Sequence, residues 1–274
     1  AFLISNAFAL IASYFLFRLA KHEFGNDAAK KTLVLLMFFP TAFFFSAVYT
    51  ESLFLALAVA SFYYARKGDW AKASVLTWFL PFVRIVGLFM WIVLVIEYLS
   101  QNKKIKLTQL TRRELFLSTT IIAAVLFFVY SYFTTGNLFG YLNQQNLWTR
   151  TVSSPHVAVI NAVELLSRGP VLALYSLWNL SVFGFFVATL YYAFKRMRKS
   201  YGVYMLLMMA LPLLSSTLEG FSRFILICFP SFMILAKFFN EQKRAYLPVV
   251  ALFVFLLAVL TARFVTGAVG TVFG

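Results

Sequence analysis

The sequence has little of what a soluble or disulfide-stabilised protein needs. It holds one cysteine, Cys228, so an internal disulfide and a cysteine-rich metal site are both excluded. Charged residues make up 12% of the 274 residues, about half the usual share in a soluble domain. Acidic residues are the scarcest, with nine Asp and Glu against 24 Lys and Arg and a formal net charge of +15. This composition excludes an ordinary soluble globular domain.

Apolar and aromatic residues dominate instead. Hydrophobic residues make up 62% of the chain and aromatic residues 19%, which excludes a disordered linker or tail. A charge of +15 is typical of nucleic-acid-binding domains, but this chain is too apolar to present a solvated basic domain. We therefore expect the lipid bilayer, and no nucleic acid, as a partner.

The apolar residues fall into stretches that fit membrane spans, which need about 20 such residues each. Several stretches are short and paired, with polar or charged residues at 49–52, around Arg84 and at 219–223 between the members of a pair. The stretches are 1–20, 32–48, 52–65, 73–83, 85–100, 115–133, 171–194, 201–218, 224–239 and 246–265.

The basic residues indicate how these stretches cross the membrane, because cytoplasmic loops are enriched in Lys and Arg. If each interrupted pair crosses twice, all but five of the 24 basic residues lie on one side. The five exceptions are Arg84, Arg150, Arg168, Arg223 and Arg263. We therefore predict an all-α polytopic membrane protein, with residues 1–274 forming one bundle of about ten transmembrane helices and the basic loops in the cytoplasm.

The first stretch does not look like a signal peptide, since it lacks a basic start and a small-residue cleavage site. In the topology above it enters from the outer side. We therefore expect one more span, and the first outer loop, upstream of Ala1.

The longest non-basic connection, residues 134–170, is predicted to lie on the outer face. Ser154 followed by Pro155 favours a helix start, and the apolar spacing that follows predicts an amphipathic helix at the membrane surface. Earlier in this loop, Gln145, Trp148 and Arg150 suit recognition of a sugar or a lipid headgroup. The alternative for Trp148 is simple interfacial anchoring.

Charged residues inside apolar segments are functional candidates because they are costly to bury in a bilayer. Glu51, Arg84, Glu219 and Arg223 interrupt the paired stretches and are predicted to lie at a similar depth near the outer face. Two carboxylates and two guanidiniums there can neutralise one another or bind a ligand. A guanidinium is suited to bidentate binding of phosphate, and a carboxylate to proton abstraction or to binding a sugar hydroxyl.

Each of these residues also has a structural interpretation. Glu51 can stabilise the start of the next helix, with Thr50 as its cap. Arg84 can form an ion pair with Glu51 or Glu219, and Glu219 can pair with Arg223 four residues later. The sequence shows no metal-ligand spacing and no phosphate-binding loop, so no cofactor is predicted, and a need for divalent metal is left open.

Four segments of the sequence match the pattern of a known family. They are Phe39-Pro40 through Tyr49-Thr50-Glu51-Ser52-Leu53-Phe54, then Arg84-x-x-Gly87, then Gly136-Asn137 with Tyr141, Gln145, Trp148 and Pro155, and last Arg223-Phe224 with Phe229-Pro230 and Leu235-Ala236. Through these segments the sequence resembles the PIG-V family, which comprises GPI mannosyltransferase 2 and its prokaryotic relatives. The resemblance covers about residues 32–240.

The resemblance implies a GT-C type glycosyltransferase, a mannosyltransferase that takes a sugar from a polyprenyl- or dolichyl-phosphate donor. Transfer would proceed with inversion, at the non-cytoplasmic face of the plasma membrane or endoplasmic reticulum, to a glycolipid or other membrane-near acceptor. The candidate substrate-binding residues are Tyr49, Arg84, Gln145, Trp148, Arg150, Glu219 and Arg223.

Such enzymes usually carry an acidic catalytic base in their first outer loop. The only aspartates here, Asp27 and Asp69, fall on the basic side. We expect the base upstream of Ala1, with Glu51 as the alternative catalytic residue.

The same residues are compatible with two other functions. A transporter or lipid flippase would use the same Glu and Arg side chains as ion or headgroup sites. A non-catalytic membrane subunit is the other. Against the transporter, the charges are predicted near one face instead of the midplane, and no clear inverted repeat is present.

Overall fold

The computed structural model describes residues 1–102, 112–138, 140 and 153–266, and the regular elements within them are helices. Short 3-10 helices at Ala42–Phe45, Ile85–Phe89 and Ile225–Ile227 connect some of the α-helices. The α-helices are α1 (Phe2–Phe24), α2 (Asn26–Met37), α3 (Glu51–Arg66), α4 (Trp70–Val83), α5 (Met90–Gln101), α6 (Arg112–Thr135), α7 (Pro155–Leu165), α8 (Pro170–Arg196), α9 (Lys199–Met208), α10 (Ala210–Leu213), α11 (Phe221–Phe224), α12 (Phe229–Glu241) and α13 (Lys243–Val265).

Four of these helices are long and apolar enough to cross a bilayer: Phe2–Phe24, Leu115–Thr135, Pro170–Arg196 and Lys243–Val265. They fit the predicted all-α membrane protein. The number of crossings, about ten from the sequence, stays a prediction.

Three of the predicted apolar stretches are not continuous helices. In 32–48, α2 ends at Met37, ahead of Pro40; in 201–218, α9 ends at Met208 and Pro212 lies in the four-residue α10. In 224–239, the helical segments Phe221–Ile227 and Phe229–Glu241 meet at an angle of 80°. Proline lacks a backbone N–H and clashes with the preceding turn, which disfavours helix at Pro40. Pro81 and Pro248, by contrast, lie inside α4 and α13.

Helix α3 lies at the centre of the bundle. It has 16 residues and is therefore about 24 Å long, shorter than a full membrane span. Twelve of the 16 are buried, and the helix packs against α1, α4 and α5. The Phe62 ring stacks on Tyr201 of α9, with ring centroids 5.0 Å apart. A helix that is apolar all round is typical of a protein core or of a membrane span, and α3 is covered by its neighbouring helices.

The chain reverses sharply after α3, which places the ends of α3 and α4 side by side. Gly68 adopts a φ of 78°, a conformation that glycine tolerates best. Asp69 then caps α4, because its Oδ1 accepts a hydrogen bond from the Lys72 backbone N–H at 3.2 Å. The Lys72 ammonium donates to Asp69 Oδ2 at 2.7 Å, and this hydrogen bond holds the pKa of Asp69 below its usual value. The reversal returns Arg84 to the Glu51 end of α3.

The opposite end of α3 is held by a second charged group, here called the Glu97 cluster: Glu23, Arg66, Glu97, Arg198 and Ser200. The Glu97 carboxylate is fully buried and accepts hydrogen bonds from Arg66 at 3.2 Å and from Ser200 at 2.6 Å. Arg66 Nε also donates to Glu23 Oε1 at 2.5 Å. The cluster joins α1, α3, α5 and the start of α9, so it orders the basic end of the bundle.

Gly87 allows a close approach between the 3-10 helix after Arg84 and the last turn of α4. A Cβ atom at this position would lie 2.4 Å from the Leu80 carbonyl carbon and oxygen. We predict that Gly87→Ala lowers the free energy of unfolding by about 1–3 kcal/mol, since overpacked backbone must shift. Thermal unfolding of the purified protein in detergent measures the change.

Gly184 is the matched control, because a Cβ there meets nothing within 4 Å and the residue lies inside α8. Gly184→Ala is expected to stabilise the protein by up to about 1 kcal/mol through helix propensity. Equal changes in unfolding free energy for the two substitutions would show that the close contact at Gly87 does not affect stability.

Candidate functional site

Three of the four charged residues predicted near the outer face meet in one cluster. The Glu51 carboxylate is fully buried, and its Oε1 accepts from Arg84 Nη1 at 2.8 Å and from Arg223 Nε at 2.5 Å. The arginine side chains are only 12% and 16% exposed. This arginine cluster (Glu51, Arg84 and Arg223) therefore carries one negative and two positive charges out of contact with most solvent.

Glu51 is the first residue of α3, where the partial positive charge of the helix start stabilises a carboxylate. The expected capping role of Thr50 is wrong: its side chain makes no capping hydrogen bond in the described structure. Ser52 fixes the start of α3 instead, because its hydroxyl donates to the Phe45 carbonyl at 2.6 Å. Glu51 therefore belongs to a buried ion cluster, and the neighbouring Ser52 holds the start of α3.

Arg84 lies between α4 and the 3-10 helix Ile85–Phe89 in an extended backbone conformation (φ −152°, ψ 139°). Its N–H closes the last turn of α4 on the Leu80 carbonyl at 3.0 Å, and its carbonyl accepts from Gly87 N at 2.8 Å. The guanidinium carbon lies 4.9 Å from the centre of the Phe224 ring. The ion pair with Glu51, given above as the structural interpretation of Arg84, is therefore present.

Arg223 lies in the short helix α11, which follows Gly220 in the left-handed conformation (φ 70°). Its guanidinium carbon is 4.1 Å from the centre of the Tyr49 ring and 5.3 Å from that of Phe44. The Thr41 hydroxyl donates to the Ser222 carbonyl at 2.6 Å, which fixes this segment against the one before α3. Tyr49, a predicted substrate-binding residue, thus contacts the arginine cluster through Arg223.

The second carboxylate oxygen of Glu51 has unusual surroundings. Oε2 is buried, and no hydrogen-bond donor from the described residues reaches it. Buried carboxylate oxygens nearly always accept a hydrogen bond, so an orphaned one marks a place where a further donor can bind. Of the two Glu51 carboxylate oxygens, only Oε1 therefore accepts hydrogen bonds from the described residues.

Arg84 also faces a groove of about 390 Å³ between α4 and α6, here called the Arg84 groove. Hydroxyl-bearing residues of α6 line one side: Tyr130, Ser131, Thr134 and Thr135. The apolar lining residues include Pro81 and Phe82 of α4 and Phe127 of α6 itself. A guanidinium with hydroxyls beside an apolar wall suits a ligand with an anionic, hydroxylated head and a hydrocarbon tail.

Glu219, the fourth predicted charge, lines a different and much smaller cavity. That cavity has a volume of about 20 Å³ and is also lined by Asn161, Asn179 and Thr217. The Glu219 backbone N–H donates to Thr217 Oγ1 at 3.1 Å. Glu219 is not among the described residues that line the Arg84 groove.

The predicted binding residues Gln145, Trp148 and Arg150, and Tyr141 of the family resemblance, lie outside the described residues. The later part of the same loop is described, and its helix α7 begins at Pro155. At its end, Arg168 Nη2 lies 3.6 Å from Glu164 Oε2. Ala158 and Ala162 are the buried residues of α7, while Ile160 and Val163 are exposed. Its location at a membrane surface stays a prediction.

The sequence reasoning missed the Glu97 cluster. Glu97 lies inside the apolar stretch 85–100, and an ionisable residue in such a stretch is the signal by which it can be found. Its oxygens are bound by Arg66, Ser200 and Gln101, so it is structurally satisfied, unlike Glu51.

Comparisons of the chain with protein-family models, with curated proteins and with solved structures gave no match. The resemblance to the PIG-V family therefore rests on the residues quoted above and stays a prediction.

The geometry of the arginine cluster predicts an order of stabilities. Glu51→Gln removes the buried carboxylate that both guanidiniums contact, which we expect to cost about 3–5 kcal/mol of unfolding free energy. Arg223→Gln leaves Glu51 paired with Arg84 and should cost less. Chemical denaturation in detergent, followed by tryptophan fluorescence, measures both.

Glu164→Gln removes a carboxylate from an ion pair of which both members are more than half exposed. It is the control for loss of a negative charge and should cost less than about 1 kcal/mol. A Glu51→Gln protein as stable as Glu164→Gln would contradict the assigned weight of the buried cluster.

Proposed function

We propose that this chain is an integral-membrane glycosyltransferase that moves a sugar, mannose by the family resemblance, from a polyprenyl- or dolichyl-phosphate donor to a membrane-near acceptor. The observation that carries the proposal is the double position of Arg84. Its side chain contacts the buried Glu51, and the residue also lines a groove whose walls are part hydroxyl and part apolar. A lipid-phosphate sugar has the matching parts: a phosphate, a hydroxylated ring and a hydrocarbon chain.

The chemistry of such a transfer needs positive charge at one point. The acceptor oxygen bonds to C1 of the sugar, while the bond from C1 to the phosphate oxygen breaks. The phosphate leaves with the electron pair as polyprenyl phosphate, and the acceptor proton passes to a general base. Negative charge grows on the leaving phosphate, and a preorganised guanidinium stabilises it most in a water-poor site.

Arg84 is assigned to the donor phosphate, because it lines the groove directly. Arg223 adds a second positive charge through its contact with Glu51 and keeps the cluster at a net +1. Glu51 is assigned a positioning role: it is fully buried and holds both guanidiniums on one oxygen. Its other oxygen is buried and has no donor among the described residues.

The remaining predicted residues belong to the acceptor side of the proposal. Gln145, Trp148 and Arg150 come from the loop that precedes α7, and Glu219 from the segment that precedes Arg223. An aromatic ring beside amides suits a sugar-bearing acceptor. The proposed active face is the non-cytoplasmic one, since the arginine cluster lies at the end of α3 opposite Arg66 and the Glu97 cluster.

The direct test is sugar transfer by the purified protein in liposomes that contain polyprenyl-phosphate-mannose and a membrane glycolipid extract. Released polyprenyl phosphate is counted per unit time. Arg84→Gln is expected to lower turnover at least about 100-fold, as loss of one preorganised donor commonly does. Arg84→Lys keeps the positive charge but loses the forked guanidinium. Its turnover should lie between that of the wild type and that of Arg84→Gln.

Glu97→Gln is the matched control, since it also removes a buried carboxylate that binds arginine, but at the opposite end of α3. It should lower stability while the turnover of the folded protein stays near that of the wild type. Movement of the intact donor across the liposome, with no bond broken, would support a transporter instead. No loss of turnover in Arg84→Gln would exclude Arg84 from donor binding.

A further inference from the structure

A second polar recess lies at the other end of the bundle, between α2, α12 and α13. We call it the lysine recess; it has a volume of about 500 Å³, within the range of small-molecule sites. Its lining residues are Asp27, Lys30, Lys31, Val34, Asn240, Lys243 and Tyr246. Neither the sugar chemistry proposed above nor the arginine cluster uses this recess.

Lys31 forms the fixed wall of the recess. Its ammonium donates to the Phe239 carbonyl at 2.8 Å and to Asn240 Oδ1 at 2.7 Å. It also lies 5.2 Å from the centre of the Tyr246 ring. These contacts tie α2 to the end of α12 and the start of α13, so the recess keeps its shape without a ligand.

Lys30 and Lys243 supply the available charge. Both are exposed, and no hydrogen bond or ion pair to either ammonium occurs among the described residues. With Lys31, three ammoniums face one carboxylate, Asp27. The recess therefore has an excess of positive charge and suits a ligand with one or two negative charges.

The position of the recess indicates the kind of anion. Lys243 is the first residue of α13, one of the four span-length helices, so the recess lies where lipid headgroups meet the end of a span. None of the residues of α13 is buried in the protein, and Leu247, one turn after Lys243, is 72% exposed. Hydrocarbon chains are needed to cover this apolar surface.

We propose that the lysine recess binds the headgroup of an anionic phospholipid, whose acyl chains lie along the exposed side of α13. The phosphate contacts Lys30 and Lys243, and Tyr246 packs at the boundary between headgroup and chains. Basic recesses between membrane helices favour anionic lipids through this charge complementarity. The bound lipid would hold α13, which has few contacts with other helices, against α2 and α12.

The test is titration of the detergent-purified full chain with phosphatidylglycerol and, separately, phosphatidylcholine, with bound lipid counted by native mass spectrometry. The wild type should bind phosphatidylglycerol at least tenfold more tightly than phosphatidylcholine. Lys30→Gln/Lys243→Gln should weaken phosphatidylglycerol binding roughly 30-fold, at about fivefold for each lysine. Lys30→Arg/Lys243→Arg should keep it.

Lys21→Gln/Lys199→Gln removes the same charge from two exposed lysines outside the recess and should leave binding unchanged. Equal loss in this control would overturn the site, as would equal binding of the two lipids by the wild type. Displacement of phosphatidylglycerol by millimolar inorganic phosphate would show a free-anion site and overturn the lipid assignment. None of these outcomes depends on sugar transfer, so failure here and failure of the proposed enzyme are separate results.

Discussion

The ion cluster at the start of α3 is the constraint on which the rest of the structure depends. A carboxylate without solvent contact must be neutralised, and here two guanidiniums from distant parts of the chain do so at 2.8 Å and 2.5 Å. This requirement brings the end of α4 and the segment after Gly220 to the start of α3. The same contact leaves a net positive charge beside a hydroxyl-lined groove, so structural neutralisation and the proposed ligand binding share Arg84.

Helix α3 is anchored by charge at both ends. Glu51 holds Arg84 and Arg223 at one end, and Arg66 holds Glu23 and Glu97 at the other. Electrostatic interactions are strong in such a dry interior. The two charged clusters therefore fix the position of α3, which is about 24 Å long, at both of its ends. The Glu97 cluster is bound on both carboxylate oxygens, whereas Glu51 has one oxygen without a donor among the described residues. This difference separates the structural cluster from the candidate site.

The sequence predicted the helical class and the residues of the arginine cluster, because a charge inside an apolar segment needs a reason. It also predicted the helix start at Pro155, because Ser154 followed by Pro155 is a local signal for the start of a helix. The apolar stretches 32–48, 201–218 and 224–239 are not continuous helices, since apolar length does not report local backbone breaks. The Glu97 cluster and the Arg84 groove could not be predicted, because both depend on how distant helices pack. The lysine recess likewise joins residues about 210 positions apart.

The central claim is that Arg84 binds the phosphate of a lipid-linked sugar donor. A structure of the full chain in a bilayer nanodisc, solved with saturating polyprenyl phosphate, tests this claim most directly. We expect phosphate oxygens within about 3 Å of the Arg84 guanidinium, with the prenyl chain leaving between α4 and α6. Phosphate bound elsewhere, with the Arg84 groove filled by water or bulk lipid, would contradict it.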